Sequence, residues 1–423
     1  MREMKDSGIE WIGEIPINWD INKGKYIFQQ RSEKGNSIEL QLLSPTQKFG
    51  VIPQSLYEKL TTNTAVKVNE KTNLMTFKTI HIGDYCISLR SFQGGFEYSL
   101  YEGVVSPAYT VFYATKTICK GYYKYLFKEQ CFIREMNSFT LSLRDGKNIS
   151  FEDFGNTYIP VPPLPEQQAI SAYLDKKCSE IDSLTADIQK QIETLEEYKR
   201  SVITEAVTKG LNPDAEMKDS GVQWVGEMPT HWKKHPIYYY FSERKNKNSL
   251  GTETNLLSLS YGKIIRKDIN SNGGLLPESF NTYNIIEIND IIIRPTDLQN
   301  DKRSLRTGFS REHGIITSAY IAMKARKNVN PRYFHYLLHA YDVMKVFYNM
   351  GNGVRQGLNF SEFSRLMVLE PPLDEQQQIA DYLDQKCTQI DGIISDKKKQ
   401  LETLEEYKKS LIFEYVTGKK EVY

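Results

Sequence analysis

The chain has 423 residues, is 40% apolar and 25% charged, and is long enough for two or three globular domains. It contains no apolar run of the roughly 18 residues needed to span a bilayer, and residues 1–19 lack the basic start and apolar centre of a signal peptide. These absences predict a cytoplasmic protein with no membrane partner. The five cysteines are odd in number and show no CxxC spacing, which argues against a disulfide framework or a zinc site.

The chain opens with a short segment, MKDSGIEWIGEIPINW at 4–19, that returns as MKDSGVQWVGEMPTHW at 217–232. We call these segments the first and second clip. They contain all four tryptophans of the chain. Because tryptophan buries a large area in cores and interfaces, we expect the clips to pack either on the rest of the chain or on a partner, with packing within the chain favoured.

Residues 20–160 have the pattern of a mixed α/β domain. Short apolar runs at Gln41–Ser44, Ala65–Val68 and Asp84–Leu89 predict strands, since Gly, Pro and Asn turns separate them. A helix is predicted over Tyr122–Met136.

Residues 161–211 form a predicted long helix that begins after paired prolines and contains almost no glycine. Apolar residues recur every seven positions, a coiled-coil pattern, at Leu174, Ile181, Ile188, Leu195 and Val202. We expect a companion row four residues earlier, at Ile170, Lys177, Leu184, Gln191 and Tyr198. The polar members of that row would fix the register of the pairing.

The second half of the chain repeats this order. After a segment at 212–232 that includes the second clip, residues 233–370 predict strands at Asn255–Ser258, Asn289–Arg294 and Ile315–Tyr320 and a helix over Pro331–Tyr348. Residues 371–423 give the second long helix, with Leu383, Ile390, Lys397, Leu404 and Leu411 on the seven-residue row.

The repeat predicts an α+β fold with two mixed α/β domains separated by two long helices. If a pseudo-two-fold axis crosses the helices, they run antiparallel and the two domains lie at opposite ends. The tail at Val416–Gly418 then lies beside the first clip, as Val207–Gly210 leads into the second, and the arrangement is nearly circular.

Charge is distributed unevenly along the chain. The net charge is only +1, yet residues 20–160 carry +4 and residues 233–370 carry +8, whereas each long-helix segment carries −3. This alternation is typical of two polyanion-binding modules held apart by a segment that does not touch the polyanion. Random scatter of charge over segments of this size is the simpler alternative.

Motifs for catalysis are missing. The sequence has no phosphate-binding loop, since Gly262-Lys263 is followed by Ile264, and its Pro-Pro pairs lack the flanking residues of an adenine methyltransferase site. His335 and His339 have the spacing of two metal ligands on a helix, but no third ligand is evident. The sequence therefore predicts neither an enzyme nor a metal site.

Basic and amide side chains beside glycine turns occur at matching places in the two domains. Arg reads guanine, Gln and Asn read adenine, and Lys more often binds phosphate. The candidate DNA-binding residues are Lys78, Arg90, Ser91, Gln93, Arg134, Arg144, Lys147, Asn148, Arg294, Thr296, Arg303, Arg306, Arg355, Gln356 and Asn359. For any single one, a solvated surface side chain is the alternative.

Taken together, the chain resembles the specificity subunit of a type I restriction–modification enzyme. The resemblance rests on the two clips, on the helix entries PPL-x-EQQ at 162–168 and 371–377, and on the YLD-x-K-C helices, and it covers essentially all of residues 1–423. It implies two target recognition domains, each reading half of a bipartite DNA site, and helices that set the spacer and dock two methyltransferase (M) subunits.

The resemblance further implies that restriction (R) subunits complete the nuclease and that this chain is not itself an enzyme. No cofactor is expected on it, because S-adenosylmethionine, ATP and Mg²⁺ belong to partner subunits. Two other classes stay open at this point: an enzyme with an unfamiliar active site, and a coiled-coil scaffold that binds proteins.

Overall fold

A computed structural model describes residues 2–35, 41–61, 74–87, 95–139, 149–269, 277, 279–298, 305–326, 328–350 and 357–422. The chain divides into two compact units. The first comprises Met1–Ile188 with Lys399–Tyr423, and the second comprises Gln189–Lys398. Each unit therefore includes one segment of both long helices, which span Leu164–Lys209 and Leu373–Val416.

The first unit is built on a four-stranded antiparallel sheet with the spatial order Phe28–Gln30, Thr110–Ala114, Tyr85–Ile87, Glu97–Tyr98. Two-stranded antiparallel pairs surround it: Met4–Asp6 with Glu14–Pro16, Asp20–Lys23 with Tyr158–Val161, Leu43–Thr46 with Gly50–Pro53, and Lys78–Ile80 with Gly103–Val105. Its shorter helices are Gly24–Tyr26, Gln54–Thr61, Leu74–Thr76, Lys120–Leu126, Gln130–Ser138 and Phe151–Asn156.

The second unit repeats that plan. Its four-stranded sheet has the order Phe241–Glu243, Ile321–Ala325, Ile291–Ile293, Thr307–Phe309. The two-stranded pairs are Met217–Asp219 with Glu227–Pro229, Lys233–Pro236 with Met367–Glu370, Leu257–Ser260 with Lys263–Arg266, and Asn284–Ile286 with Gly314–Ile316. The shorter helices are Ile237–Tyr240, Pro331–Val343, Val346–Asn349 and Phe360–Phe363.

Most predicted strands are confirmed, and the predicted helices differ in two respects. Ala65–Val68 lies outside the described residues. The helix predicted over Tyr122–Met136 is two helices: the first ends at Leu126, and Glu129 caps the second by accepting hydrogen bonds from the backbone N–H groups of Cys131 and Phe132. The helix that begins at Pro331 ends at Val343, just before Lys345 takes a left-handed conformation with φ 61°.

Within each unit the two long-helix segments run antiparallel. In the first unit Tyr173 packs against Tyr415, with ring centroids 4.5 Å apart, and Asp182 pairs with Lys408 at 2.6 Å. In the second unit Lys199 pairs with Asp391 at 2.7 Å. Partner numbers fall on one helix as they rise on the other, so the predicted antiparallel pairing is confirmed in each unit.

The seven-residue row faces inward as predicted. Ile181 and Val202 are buried on the first helix, and Leu383 and Leu411 on the second, while Lys397 on the same row donates a hydrogen bond to the side-chain oxygen of Gln191. Polar contacts of this kind on a seam favour one register at some cost in stability.

The predicted companion row is confirmed at Ile170, which is buried, and wrong at Leu184 and Tyr198. Leu184 and Tyr198 are 52% and 51% exposed, whereas Cys178 and Ile192, four residues after members of the main row, are buried. Four residues turn a helix by about 400°, so positions four before and four after the main row lie about 40° to either side of it. The sequence pattern does not distinguish these two sides; the position of the neighbouring helix decides.

Candidate nucleic-acid interface

Both clips pack on the chain itself, through the acid that opens the EQQ run of each long helix. Arg2, which precedes the first clip and lies 5.6 Å from the centre of the Trp19 ring, pairs with both carboxylate oxygens of Glu166. In the second unit the indole N–H of Trp232 donates to Glu375 Oε2 at 3.1 Å. Trp19 and Trp232 are buried. The prediction that the clips pack within the chain is confirmed.

The first glutamine of each run joins the long helix to the α/β part of its unit. Gln167 accepts from the backbone N–H of Cys119 at 2.9 Å and donates to the Pro162 carbonyl at 2.8 Å. Gln376 makes the equivalent pair of bonds, from the backbone N–H of Asn330 at 2.9 Å and to the Pro371 carbonyl at 2.8 Å. The PPL-x-EQQ repeat is thus a structural joint.

The C-terminal end of each long helix is held by a tyrosine from a shorter helix of the same unit. The Tyr122 hydroxyl donates to the Val416 carbonyl at 2.7 Å, and the Tyr333 hydroxyl donates to the Val207 carbonyl at 3.2 Å. Lys419 donates to the Glu14 carbonyl, so the C-terminal tail lies against the first clip, as the repeat predicts. The hydrogen bonds that hold the long helices are therefore equivalent in the two units.

Most of the predicted DNA-binding side chains lie outside the described residues. These are Arg90, Ser91, Gln93, Arg144, Lys147, Asn148, Arg303, Arg355 and Gln356. The residues on either side of these segments are described, and they lie at equivalent positions in the two units. One pair of segments follows the central strands Tyr85–Ile87 and Ile291–Ile293, and the other precedes the capping residues Ser150 and Asn359. These residues remain predictions.

Two candidates in the first unit have local partners. Lys78 donates to the Tyr109 carbonyl at 2.6 Å, and burial lowers the pKa of its ammonium group. Arg134 is exposed on the helix Gln130–Ser138, where its guanidinium group lies 3.1 Å from Cys131 Sγ. Of the two, Arg134 is the side chain more accessible to a polyanion.

Arg306 requires a correction, because the structure places it in the interior of the second unit at 0% exposure. Its guanidinium group donates to the carbonyls of Thr296 and Asp297, the latter at 2.8 Å, and lies 5.0 Å from the centre of the Tyr348 ring. A side chain bound to backbone carbonyls in this way cannot also reach a base. Arg306 therefore holds the loop that carries Thr296, which is itself exposed, while Arg294 is half-buried.

Asn359 also has a structural task. Its side chain accepts a hydrogen bond from the backbone N–H of Glu362, and the Glu362 side chain accepts from the backbone N–H of Asn359, which is a capping box. Ser150 and Asp153 form the same box in the first unit. Any DNA contact by Asn359 must coexist with this cap.

One repeated ion pair was not predicted from the sequence. Arg31 pairs with Asp84 at 2.7 Å in the first unit, and Arg244 pairs with Asp290 in the second, with both acids 2% exposed. Burial raises the pKa of Asp290, although the hydrogen bond from Arg244 acts in the opposite direction. The two arginines follow equivalent strands, and an alignment of the two halves at those strands is the signal that would have identified them.

The metal and membrane hypotheses can be tested on the described part of the chain. Burial lowers the pKa of His335 to about 3 and that of His339 to about 4, so both rings are neutral near pH 7. Within the described ranges, no group of three or more His, Cys, Asp or Glu side chains is placed to hold a metal ion. Nor does any helix in that part of the chain combine the length and apolar character that crossing a bilayer requires.

The geometry defines an internally duplicated α/β protein, in which two units share one pair of long helices and offer different loops from matching positions. The family model described as "Type I restriction modification DNA specificity domain" matches residues 16–194 and 309–403. The chain belongs to this family. It is a DNA specificity subunit, the non-catalytic subunit of a type I restriction–modification system.

Individual relatives match two thirds or more of the chain. A Methanocaldococcus jannaschii protein, named for the MjaX type I restriction enzyme specificity subunit, is 22% identical over 434 residues, covering 96% of this chain and 95% of its own. The MjaVIII specificity subunit of the same organism is 26% identical over 300 residues, 67% of each chain.

Two solved structures share the fold. One, from work on complex assembly and conformational transition of the type I R-M system, has a TM-score of 0.69 and 14% identity, and it covers 95% of this chain and 98% of its own. The HsdS subunit of Thermoanaerobacter tengcongensis has a TM-score of 0.52 and 14% identity, and it covers 96% of this chain and 98% of its own.

Proposed function

We propose that each α/β unit is a target recognition domain that reads one half of a bipartite site in double-stranded DNA. The domains would comprise residues 20–160 and 233–370. The observation that carries this proposal is that the hydrogen bonds joining each unit to the long helices are repeated, while the loops between them differ in sequence. We call these repeated bonds the frame. Tyr122 and Tyr333, and Gln167 and Gln376, make equivalent bonds in the two units, so the loops can change without altering the frame.

Charge supports the same assignment. The two domains carry the positive excess of the chain, +4 and +8, and a polyanion is bound by Lys and Arg that replace its condensed counterions. Among the candidates, Arg134 and Thr296 are exposed in the structure and the loop arginines Arg90, Arg144, Arg303 and Arg355 are retained as predictions, whereas Arg306 is left out.

The long helices, in this proposal, set the unread spacer and dock two M subunits, to which R subunits are added. Glu193, Glu196 and Glu197 on the first helix and Glu402, Glu405 and Glu406 on the second are exposed at equivalent positions, as a repeated docking surface requires. S-adenosylmethionine, ATP and Mg²⁺ would act on those partner subunits, and the assembly would act on DNA in the cytoplasm.

A domain exchange tests the proposal. Residues 20–160 are replaced by the corresponding domain of a relative with a known site, and the methylated motif is determined in cells that also express the M subunits. We expect a hybrid motif with one new half-site and one old half-site, because the frame bonds are the same in both units. A motif that changes in both halves, or in neither, contradicts the assignment.

Docking has its own test. Replacing the six exposed glutamates with lysine reverses the charge of the helix surface without touching the buried row, so we expect the variant to fold and to lose M subunits on co-purification. Loss of M binding on deletion of residues 20–160, with the helices still folded, would instead assign docking to the recognition domain.

A further inference from the structure

The two recognition domains contain two-stranded β-ribbons at matching places in the chain, and these two ribbons have the same register. In the first ribbon, Leu43–Thr46 pairs with Gly50–Pro53, and Ser44 lies opposite Ile52. In the second ribbon, Leu257–Ser260 pairs with Lys263–Arg266, and Ser258 lies opposite Ile265. The two ribbons can therefore be compared position by position.

The first ribbon is covered on its outer face. The helix Gln54–Thr61 follows it directly, and the Ser44 hydroxyl lies 3.4 Å from Gln54 Oε1. Ser44 is 0% exposed and Ile52 is 6% exposed. This face of the first ribbon is therefore covered by the helix Gln54–Thr61.

Among the described residues, the equivalent face of the second ribbon is more exposed, with Ser258 and Ser260 half-buried, and we call it the bare face. Ile265, the counterpart of Ile52, is 41% exposed, and Tyr261 at the tip is 78% exposed with a left-handed φ of 45°. Lys263 and Lys267 are exposed as well. Arg266 lies opposite Leu257 and pairs with Glu312 at 2.5 Å, whereas Lys263 lies opposite Ser260 on the bare face. Residues 257–267 contain no acid, so the bare face favours a polyanionic partner.

The inner face of the second ribbon is firmly held. Leu257 and Leu259 are buried, and Leu257 packs with Ile286, Ile292 and Ile316. Gly308 permits this approach, because a Cβ atom there would lie 2.6 Å from Leu259 Cδ1 and 2.9 Å from Ile264 Cδ1. Since side chains alternate along a strand, the burial of Leu257 and Leu259 directs Ser258 and Ser260 to the bare face.

We propose that the second ribbon enters the major groove of the DNA and that Ser258, Ser260 and Lys263 read base edges of one half-site, with Ile265 against a thymine methyl group. This inference rests on the proposed function and adds to it the reading element of the second domain. The major groove is about 12 Å wide and admits a two-stranded ribbon, and serine and lysine are side chains that bind base edges there.

The test uses the full chain assembled with its M subunits and a duplex carrying the methylation motif mapped in cells. Binding is measured for the cognate duplex and for duplexes with single-base changes in either half-site. We expect Lys263→Ala, and the double variant Ser258→Ala with Ser260→Ala, to reduce discrimination in the second half-site about 10-fold or more. Discrimination in the first half-site should not change.

Lys48→Ala is the matched control, because Lys48 is the exposed lysine at the tip of the covered first ribbon. It should leave the second half-site unaffected. Uniform weakening on all duplexes would overturn the reading role and make Lys263 a phosphate contact. Loss of M subunits without loss of discrimination would identify the bare face as a protein contact. Unchanged binding by all ribbon variants would overturn the inference while the wild-type assembly still recognised its site, so the proposed function would stand.

Discussion

Glu97 is a buried carboxylate that links the stability of the first unit to pH. Its side chain is 1% exposed and pairs with Lys128 at 2.6 Å, yet burial outweighs the lysine and raises the pKa of Glu97 from 4.5 to about 7. Between those two pH values the folded chain keeps a proton that the unfolded chain has released. The stability supplied by this proton is complete below about pH 4.5 and is lost as pH rises through 7.

Glu97→Gln removes the titration and leaves a neutral side chain of the same shape. We expect the free energy of unfolding of the variant, relative to the wild type, to increase by about 2–3 kcal/mol between pH 5 and pH 8. Urea unfolding of the full chain at the two pH values measures this difference. Glu10→Gln, at an exposed position, is the control for the substitution itself. Parallel behaviour of the Glu97 variant and the wild type would contradict the assignment.

The sequence predicts that Arg306 binds DNA, but the structure buries it as a donor to backbone carbonyls. We expect Arg306→Met to lower the free energy of unfolding by about 2–4 kcal/mol, because the carbonyls of Thr296 and Asp297 lose their donors in a buried site. Denaturant unfolding measures the loss. Arg311→Met, at an exposed arginine nearby, should change stability by about 0.5 kcal/mol or less. A stable Arg306 variant with an altered DNA motif would restore Arg306 as a base contact.

At the scale of elements, the long helices are specified by their inward rows. Ile192 is 3% exposed and Leu184 is 52% exposed, although the two lie eight residues apart on the same helix. We expect Ile192→Ala to cost about 2–5 kcal/mol through lost burial and a cavity, and Leu184→Ala to cost about 0.5 kcal/mol or less. Thermal unfolding of both variants decides between the two rows. Equal losses of stability in the two variants would show that Leu184 is buried in the seam.

The element that changes its environment most is the β-ribbon. In the part of the chain that the structure describes, a helix covers this register in the first unit, where Ile52 is 6% exposed, while the matching Ile265 in the second unit is 41% exposed. The sequence carries a weak signal for this difference, since SLSYGKIIRK at 258–267 is basic and has no acid. Only the packing of Gln54–Thr61 on the first ribbon shows that the two faces are not equivalent.

At the scale of the whole molecule, the helices serve as the proposed ruler for the DNA spacer. The boundary between units falls after Ile188 on the first helix and after Lys398 on the second. Inserting seven residues at both places adds two turns and about 10.5 Å of helix, and it preserves the seven-residue row. With B-DNA rising about 3.4 Å per base pair, we expect the unread spacer to lengthen by about three base pairs while both half-sites stay the same.

Sequencing of methylated motifs in cells that carry the double insertion measures the spacer. A two-residue insertion at both places is the comparison, because it turns everything beyond it by about 200° and breaks the buried row. We expect that variant to lose activity. An active seven-residue variant with its original spacer would show that the helices do not set it.

The sequence by itself determined the repeat, the two long helices, most strands and the family. These features follow from local rules: proline pairs begin the helices, the seven-residue period specifies a seam, and alternation of apolar residues specifies strands. The clips were also evident, because the same sixteen-residue pattern holds every tryptophan of the chain. Such signals need no knowledge of what lies nearby in space.

Tertiary structure alone decided which side chains are enclosed. The companion row of the helices, the burial of Arg306 and the exposure of Ile265 on the second ribbon each depend on which other elements lie nearby in space. Local sequence patterns specify the geometry of an element but not its partner. A position 40° to one side of a helix row, or a polar residue on a ribbon, has the same local pattern whether a second element covers it or water does.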